Sequence, residues 1–353
     1  MSELPTLRWG IIGAGWVSSE MVKDLTIERP DAKAKHVIQA IGCSSISKGQ
    51  EFVQKHIPHL SPTVYGSYQE CYNDKSVDLI YIATPNGLHK QQCLDAIAAG
   101  KHVLCEKSFA ITANEAKEVF AAAKEKGVFV MEAMFTRFLP ITQAIQKAVH
   151  QDKMAGDVVR VFADFAMGFD AKAKGMPPWM NDPNLGAGTL LNIGIYALTW
   201  GLLCLDVNIG EKSEKPKVVS LQSLDEGLEV ASSIILLYPS TGRQGILTSG
   251  FGSKTSLPFA KIEGSKGTII VEGVAASVPR SFKFVPKGKD PKEEVFEFEK
   301  PGWGFYHEAD AVALDIQAGR LENATMPWGE TIRVLEIMDG VRHSNGLFFP
   351  QEK

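Results

Sequence analysis

Four stretches of this chain carry residue types that could do chemistry together. Gly10-Ile-Ile-Gly13-Ala-Gly15-Trp16-Val17-Ser18 puts glycines where a strand turns into a helix. There Gly13 permits a tight turn, Gly15 lets backbone approach a pyrophosphate, and the small Ser18 lets helix pack on strand. Lys107 ends the apolar run His102-Val-Leu-Cys105. A partly desolvated ammonium at such a place can polarise a substrate oxygen or help move its proton; the alternative is a solvated surface lysine. Asn192 and Tyr196 are four apart in Thr189 to Trp200, a stretch apolar all round, so they share one face of a buried helix. Two hydrogen-bonding groups there need partners, from a ligand in a cleft or from an internal polar network.

The end of the second strand selects the dinucleotide. A site for NAD puts Asp or Glu there to accept the ribose hydroxyls, whereas a 2′-phosphate needs donors and no anion. The chain reads Ile41-Gly42-Cys43-Ser44-Ser45-Ile46-Ser47-Lys48, with no carboxylate from Val37 to Gln50. Ser44, Ser45 and Lys48 make a cradle for the phosphate, so NADP is favoured. Ligands of a doubly wound sheet bind at the carboxyl ends of its strands. Thr84, Pro85, Asn86 and His89, after the fourth strand, and Glu106 with Lys107, after the fifth, therefore border the same crevice as the glycine turn.

The elements that must position these groups change character along the chain. Strands are expected at 7–12, 37–43, 78–83, 102–105 and 128–131, with a shorter one near Val64, separated by helices, two of which open on capping boxes: Ser67 with Glu70 and Thr112 with Glu115. Strands apolar on both faces, alternating with helices, predict a parallel sheet. After Pro140 come a helix to about His150, a strand at 158–165, and the apolar helix from Thr189. From Val218 to Phe298 the chain reads as nearly all strand, seven of them with Gly and Pro turns, which predicts antiparallel pairing. Two amphipathic helices close the chain. The fold class is α/β, a doubly wound parallel sheet followed by an α/β domain with a large, mostly antiparallel sheet. The boundary falls near 135–140, giving domains of 1–137 and 138–353.

A length of 353 residues gives a prior of about two domains, large enough to need no disulfide or structural metal. Net charge is −4, without the cationic excess of a nucleic-acid binder. Five scattered cysteines show no C-x-x-C pair, so buried free thiols are expected and no metal site. The run from Thr189 to Leu205 comes closest to a membrane span but is interrupted by Asn192, Gly194 and Tyr196. The N-terminus lacks the order of a signal peptide, so a cytoplasmic protein is expected, with neither membrane nor nucleic acid as partner.

The chain resembles the Gfo/Idh/MocA oxidoreductases over essentially its whole length. The resemblance rests on the glycine turn, Ala83-Thr84-Pro85-Asn86 with His89, Gly100 through Glu106-Lys107, Met131 through Arg137-Phe138-Leu-Pro140, and Gly186-Ala-Gly188-Thr-Leu-Leu-Asn192-Ile-Gly194-Ile-Tyr196. Within the family it looks like the branch of dimeric dihydrodiol dehydrogenases and fungal NADP-dependent D-xylose dehydrogenases. The resemblance implies a Rossmann domain, an open-faced sheet that pairs subunits as a homodimer, and Lys107 and Tyr196 as the catalytic pair. It adds Arg137 to the cofactor residues and Asn192 to the catalytic ones, and makes Phe165 and Trp179 substrate-pocket walls, with Phe305 and His307 further candidates. Two positions depart from the pattern. Ser108 replaces the usual Pro, and since a cis bond before a non-proline costs about 3 kcal/mol a trans peptide is expected. Asn192 stands where the family usually has Asp, and a neutral amide can orient a hydroxyl but cannot take its proton. The implied activity is hydride transfer between a hydroxyl of a D-xylose-like sugar and NADP. Alternatives are a dihydrodiol dehydrogenase or carbonyl reductase for a more apolar cyclic substrate, and a non-catalytic NADP-sensing regulator.

Overall fold

The computed structural model describes residues 4–170, 173, 177–289 and 292–352. The chain divides into two compact units. The first holds the chain to Ala110, Asn114–Phe138 and Lys300–Thr331; the second holds Ile111–Ala113, Leu139–Glu299 and the chain from Ile332.

In the first unit, β1 (Thr6–Ile12), β2 (Lys35–Gly42), β3 (Thr63–Tyr65), β4 (Leu79–Ile82), β5 (His102–Glu106) and β6 (Val130–Ala133) form one sheet in the order β3-β2-β1-β4-β5-β6. Every pairing is parallel. Helices α1 (Trp16–Leu25), α2 (Ile46–His56), α3 (Tyr68–Asn73), α4 (Asn86–Ala98) and α5 (Ala113–Lys126) make the crossovers. β4 and β6 are buried at every residue, as expected for strands covered on both faces. The Ser67 hydroxyl caps α3, accepting from the Glu70 amide at 3.3 Å and donating to the Glu70 carboxylate at 2.7 Å.

In the second unit, α6 (Pro140–Gln146) continues as a π-helical turn to Gln151 and leads to β7 (Val158–Ala166). A π-helical stretch, Leu190–Gly194, runs into α7 (Ile195–Leu205). There follow β8 (Lys217–Asp225), β9 (Leu228–Leu237), β10 (Gln244–Gly250), β11 (Ala260–Gly264), β12 (Gly267–Ala275), β13 (Val278–Pro286) and β14 (Glu294–Glu297). The sheet order is β14-β13-β12-β11-β7-β10-β9-β8. All neighbours are antiparallel except β7 and β10, because β7 slots between β10 and β11 and separates two strands consecutive in sequence. α7 lies on one face, where a Cβ on Gly201 would come within 2.8 Å of Leu247. By length and composition Pro183–Leu205 is apolar enough to cross a membrane, beyond what the interrupted run suggested, yet 94% of its most apolar window is buried inside the protein. The other sheet face carries a cross-strand row of Val219, Ile235, Ile246, Phe162, Lys261, Ile270, Lys283 and Val295, whose apolar members at β8, β9 and β14 are exposed.

The expected second domain ran from 138 to the end, but Lys300–Thr331 packs with the first unit instead. Its helix α8 (Phe305–Gln317) is capped by the Asp24 carboxylate, which accepts from the amides of Trp303, Gly304 and Phe305 at 2.6–3.1 Å. Asp310 pairs with Arg29 at 2.6 Å and with His36 at 3.0 Å. Because the Trp9 indole donates to His36 Nδ1, Nε2 carries the proton given to Asp310. Val130 donates its amide to the Leu321 carbonyl, and α9 (Trp328–Ser344) opens with an indole donating to the Val130 carbonyl at 2.8 Å. Phe109, Phe120 and Trp328 stack in series, with ring centroids 4.7 and 5.2 Å apart.

Candidate active site

The first unit presents its candidate groups at the carboxyl ends of β1, β2, β4 and β5. Gly13 has φ of 95°, and a Cβ there would sit 2.9 Å from the Ala83 carbonyl, so this turn requires glycine. At Gly15 a Cβ would meet nothing within 4 Å. Packing within the protein does not demand that glycine, and the open space there leaves room for the backbone to meet a pyrophosphate. α1 starts there with no side-chain cap and no acidic residue in its first turn, so its amides suit a pyrophosphate. Ser18 is fully buried, its hydroxyl without a partner, and serves as the small packing residue. Trp16, 61% exposed, meets Trp303 edge to face at 5.3 Å. The Trp303 indole donates to Glu20 at 2.9 Å, a contact invisible from local sequence.

After β2, Lys48 Nζ donates to the Ser44 hydroxyl at 3.2 Å, Ser45 caps α2, and the hydroxyls of Ser45 and Ser47 lie 3.1 Å apart. Three hydroxyls and an ammonium at a helix N-terminus, with no acid in its first turn, fit a phosphate ester.

After β4, Pro85 precedes α4, Asn86 opens it, and the Thr84 hydroxyl donates to Gln92 at 2.6 Å. His89 was expected to touch the cofactor, but it is fully buried, with Nε2 2.7 Å from the Thr84 carbonyl and Nδ1 2.9 Å from the Ser108 carbonyl. Both ring nitrogens face backbone carbonyls and not the crevice, and burial pushes its pKa down to about 4.

Glu106 ends β5, accepting from the Tyr81 hydroxyl at 2.6 Å and the Lys107 amide at 3.2 Å; burial raises its pKa. Burial also lowers the pKa of Lys107, against the pull of Glu106 and Glu132. Glu132, on β6, accepts from the Phe109 amide at 3.0 Å and the Thr331 hydroxyl at 2.9 Å, and burial pushes its carboxyl up to about 7. The Lys107–Ser108 peptide is cis, not trans as expected. Contacts from elsewhere in the unit fix the backbone on its far side: His89 at the Ser108 carbonyl and Glu132 at the Phe109 amide.

Two further expectations are corrected. Arg137 is 2% exposed and pairs with Glu330 at 2.5 Å, so its charge is spent in the interior of the unit and not on a cofactor. Phe305 is buried against Phe135 at 4.5 Å as ordinary core, and burial pushes the neighbouring His307 down to about 4.

In the second unit the helix bearing Asn192 and Tyr196 is anchored by Glu229, a buried β9 carboxylate that sequence reasoning missed. It accepts from the Thr189 hydroxyl at 2.5 Å, the Leu190 amide at 2.9 Å and the Ser232 hydroxyl at 2.7 Å, and burial raises its pKa. Gly188, with φ of 111°, would place a Cβ 2.8 Å from this carboxylate. Asn192 was expected to orient substrate. Its amide nitrogen donates to the carbonyls of Gly186 and Gly188 at 3.1 and 2.7 Å, which a carboxylate at this position could not do. Tyr196 packs against Phe165 at 5.7 Å. Phe165 and Trp179 lie over a buried cluster of Met180, Ala187, Ile193, Leu228 and Phe251. The five cysteines are buried and free, and among the described residues no cluster of His, Cys, Asp or Glu could hold a metal ion.

Comparison with known proteins places this geometry. Residues 7–134 match the family model described as an oxidoreductase family with an NAD-binding Rossmann fold, and residues 142–270 match the GFO/IDH/MocA C-terminal domain. The chain is 32% identical to the D-xylose 1-dehydrogenase (NADP(+)) of Hypocrea jecorina, covering 98% of this chain and 94% of that one. It is 33% identical to the trans-1,2-dihydrobenzene-1,2-diol dehydrogenase of Sus scrofa, covering 98% and 99%. Among solved structures it shares its fold with a 3-ketoreductase from Actinomadura kijaniata, with a TM-score of 0.79 at 19% identity, covering 96% of this chain and 98% of that one. An aldose-aldose oxidoreductase from Caulobacter crescentus gives 0.79 at 23% identity, covering 96% and 97%. With its Rossmann sheet, its glycine turn and both domain models matched, the chain belongs to the GFO/IDH/MocA family of oxidoreductases.

Proposed function

We propose that the protein is an NADP-dependent dehydrogenase that moves a hydride between a CH–OH carbon of a small cyclic substrate and the nicotinamide, with a D-xylose-like aldose as the leading substrate. The observation that carries this is the convergence of Gly15, the Ser44–Lys48 corner and Lys107 at the carboxyl edge of one parallel sheet, with no carboxylate at the β2 end. A relative about one third identical over nearly the whole chain bears the name of an NADP-dependent D-xylose dehydrogenase, which supports the substrate class.

NADP, when bound, supplies the hydride acceptor. The α1 amides at the Gly13–Gly15 turn would hold its pyrophosphate, and Ser44, Ser45 and Lys48 would hold the 2′-phosphate. Tyr196 exchanges the substrate hydroxyl proton. Free Tyr titrates near 10, and bringing that to about 7 takes roughly 4 kcal/mol of preferential stabilisation of the phenolate. Lys107 supplies the positive charge that stabilises the oxyanion left when the proton departs. Glu106 and Glu132 favour its charged form against desolvation. Asn192 holds the turn that leads into the tyrosine's helix.

A second substrate class has its own support. Tyr196 packs against Phe165, and Phe165 and Trp179 lie over an apolar cluster in the same unit. Such a wall suits a dihydrodiol or cyclic ketone, and relatives bear that name. The test is reduction of NADP, then NAD, against D-xylose, other aldoses, inositols and dihydrodiols. NADP reduction by an aldose is expected. Turnover confined to dihydrodiols would favour the second class. Tight NADPH binding without turnover would favour a sensor.

The enzyme works as a homodimer joined through the outer sheet face, where Val219 is 67% and Leu221 75% exposed. Sedimentation of wild type and of Val219→Asp tests this, with a shift to monomer expected.

A further inference from the structure

We propose that His89 is a positioning residue for Lys107, fixing the backbone from which the lysine is presented through its bond to the Ser108 carbonyl. This rests on the catalytic role proposed above for Lys107. His89 sits on α4, one turn past the Thr84-Pro85-Asn86 segment at the β4 end. Its ring bridges two strand ends: Nε2 lies 2.7 Å from the Thr84 carbonyl, and Nδ1 lies 2.9 Å from the carbonyl of Ser108, the residue after Lys107. None of the ring is exposed, so it offers a ligand neither a donor nor an acceptor.

A neutral imidazole has one N–H and one lone pair, whereas two carbonyls call for two donors. Full burial opposes the imidazolium that would satisfy both. In the neutral ring one nitrogen donates: Nδ1–H bonds the Ser108 carbonyl, and Nε2 packs against the Thr84 carbonyl. Sequence position suggests a cofactor contact, because α4 begins at a cofactor-facing loop. The contacts assign the side chain to the layer beneath that loop, where it couples the β4 turn to the Lys107 loop. The adjoining Phe109 amide is held independently by Glu132. The backbone just after Lys107 is therefore gripped from two sides, and His89 supplies the grip closest to the lysine. A misplacement of about 1 Å at a catalytic group can cost roughly 100-fold in rate.

Three variants separate the contacts. His89→Asn keeps an amide donor near the Nδ1 position, toward Ser108. His89→Gln keeps one near the Nε2 position, toward Thr84. His89→Leu keeps neither. With NADPH affinity read by its fluorescence and kcat measured at saturating cofactor, His89→Leu is expected to lose about 100-fold in kcat while its NADPH Kd stays within about threefold. His89→Asn is expected to recover most of the loss and His89→Gln little. A tenfold or greater rise in NADPH Kd with kcat retained would overturn the proposal in favour of a cofactor contact. Equal kcat in all three folded variants and wild type, with only Tm lowered, would overturn it in favour of a purely structural residue.

A readout without substrate keeps this distinct from the catalytic proposal. In enzyme with ¹³C-dimethylated lysines, the Lys107 signal is identified by its loss in Lys107→Met. Its titration midpoint is expected to move in His89→Leu and to return in His89→Asn. An unmoved midpoint would overturn the positioning role. Full turnover in Lys107→Met would instead overturn the catalytic role of the lysine, whatever the His89 variants do.

Discussion

In the first unit the groups that would meet a cofactor hang on loops at strand ends, and main-chain contacts place them. In the second, the corresponding groups project from one helix buried on every side, and a carboxylate, Glu229, anchors its start. The parallel sheet offers ready anion sites wherever a strand gives way to a helix, so glycine and small hydroxyl residues suffice there. The antiparallel unit has no such repeating site. It fixes Tyr196 through a polar cluster of Glu229, Thr189, Ser232 and Ser249 placed under an apolar helix. Buried carboxylates recur in both units, with Asp24 and Glu132 organising backbone in the first as Glu229 does in the second.

The largest effect is expected at the two residues proposed to handle the proton and its charge. Lys107→Met and Tyr196→Phe should each lower kcat by about 10³-fold while NADPH binding survives, measured by single-turnover kinetics and fluorescence titration. Comparable losses from one residue of each unit would show that both are needed; a near-normal rate in either would confine the chemistry to one.

Next comes the cofactor corner. Lys48→Ala removes a charge-assisted contact and should raise the KM for NADP by about 10- to 100-fold with little change for NAD. Equal effects on both dinucleotides would remove the 2′-phosphate from this corner.

In the second unit, Glu229→Ala strands the Thr189 hydroxyl and the Leu190 amide, and should cost roughly 2–3 kcal/mol of stability in denaturant unfolding. A change below experimental scatter would show that the helix is held by apolar packing alone.

The smallest effect is a pH slope. With its folded pKa raised to about 7 from an ordinary value of about 4.3, Glu132 holds its proton more tightly in the folded state. Its contribution to stability is therefore full below about pH 4.3 and is lost as pH rises through 7. Glu132→Gln should gain Tm relative to wild type between pH 5 and 8; a gap independent of pH would place the proton elsewhere. His89 works in the opposite sense. Its folded pKa of about 4 lies below the ordinary 6.5, so its contribution is present above pH 6.5 and lost as pH falls through 4.

The strands were legible because apolar runs and turn residues are local signals, and β8 through β13 stand close to where alternation and Gly/Pro turns put them. Lys48 and Ser44 were legible as a pair for the same reason, being four residues apart at a helix entry. The return of Lys300–Thr331 to the first unit was not. The contact that fixes it, Asp24 to Trp303, spans 279 residues, and an amphipathic helix does not encode which surface it covers. His89 and Arg137 show a further limit. Their types suit ligand contacts and their positions border the strand ends, yet each side chain turns to backbone or to a buried partner. Residue type and spacing locate a polar group; they do not fix its direction. Glu229 lay hidden within an apolar strand, and no local pattern marks a carboxylate that caps a helix 39 residues away.

The most direct test of the central claim follows the hydride itself. Wild-type protein is incubated with NADP and D-xylose deuterated at C1, and the reduced nicotinamide is examined by mass spectrometry and NMR. Transfer of one deuterium to the nicotinamide ring is expected, and its disappearance in Lys107→Met. Tight NADPH binding with no label transferred from any deuterated aldose or cyclic diol would contradict the assignment of this protein as a dehydrogenase.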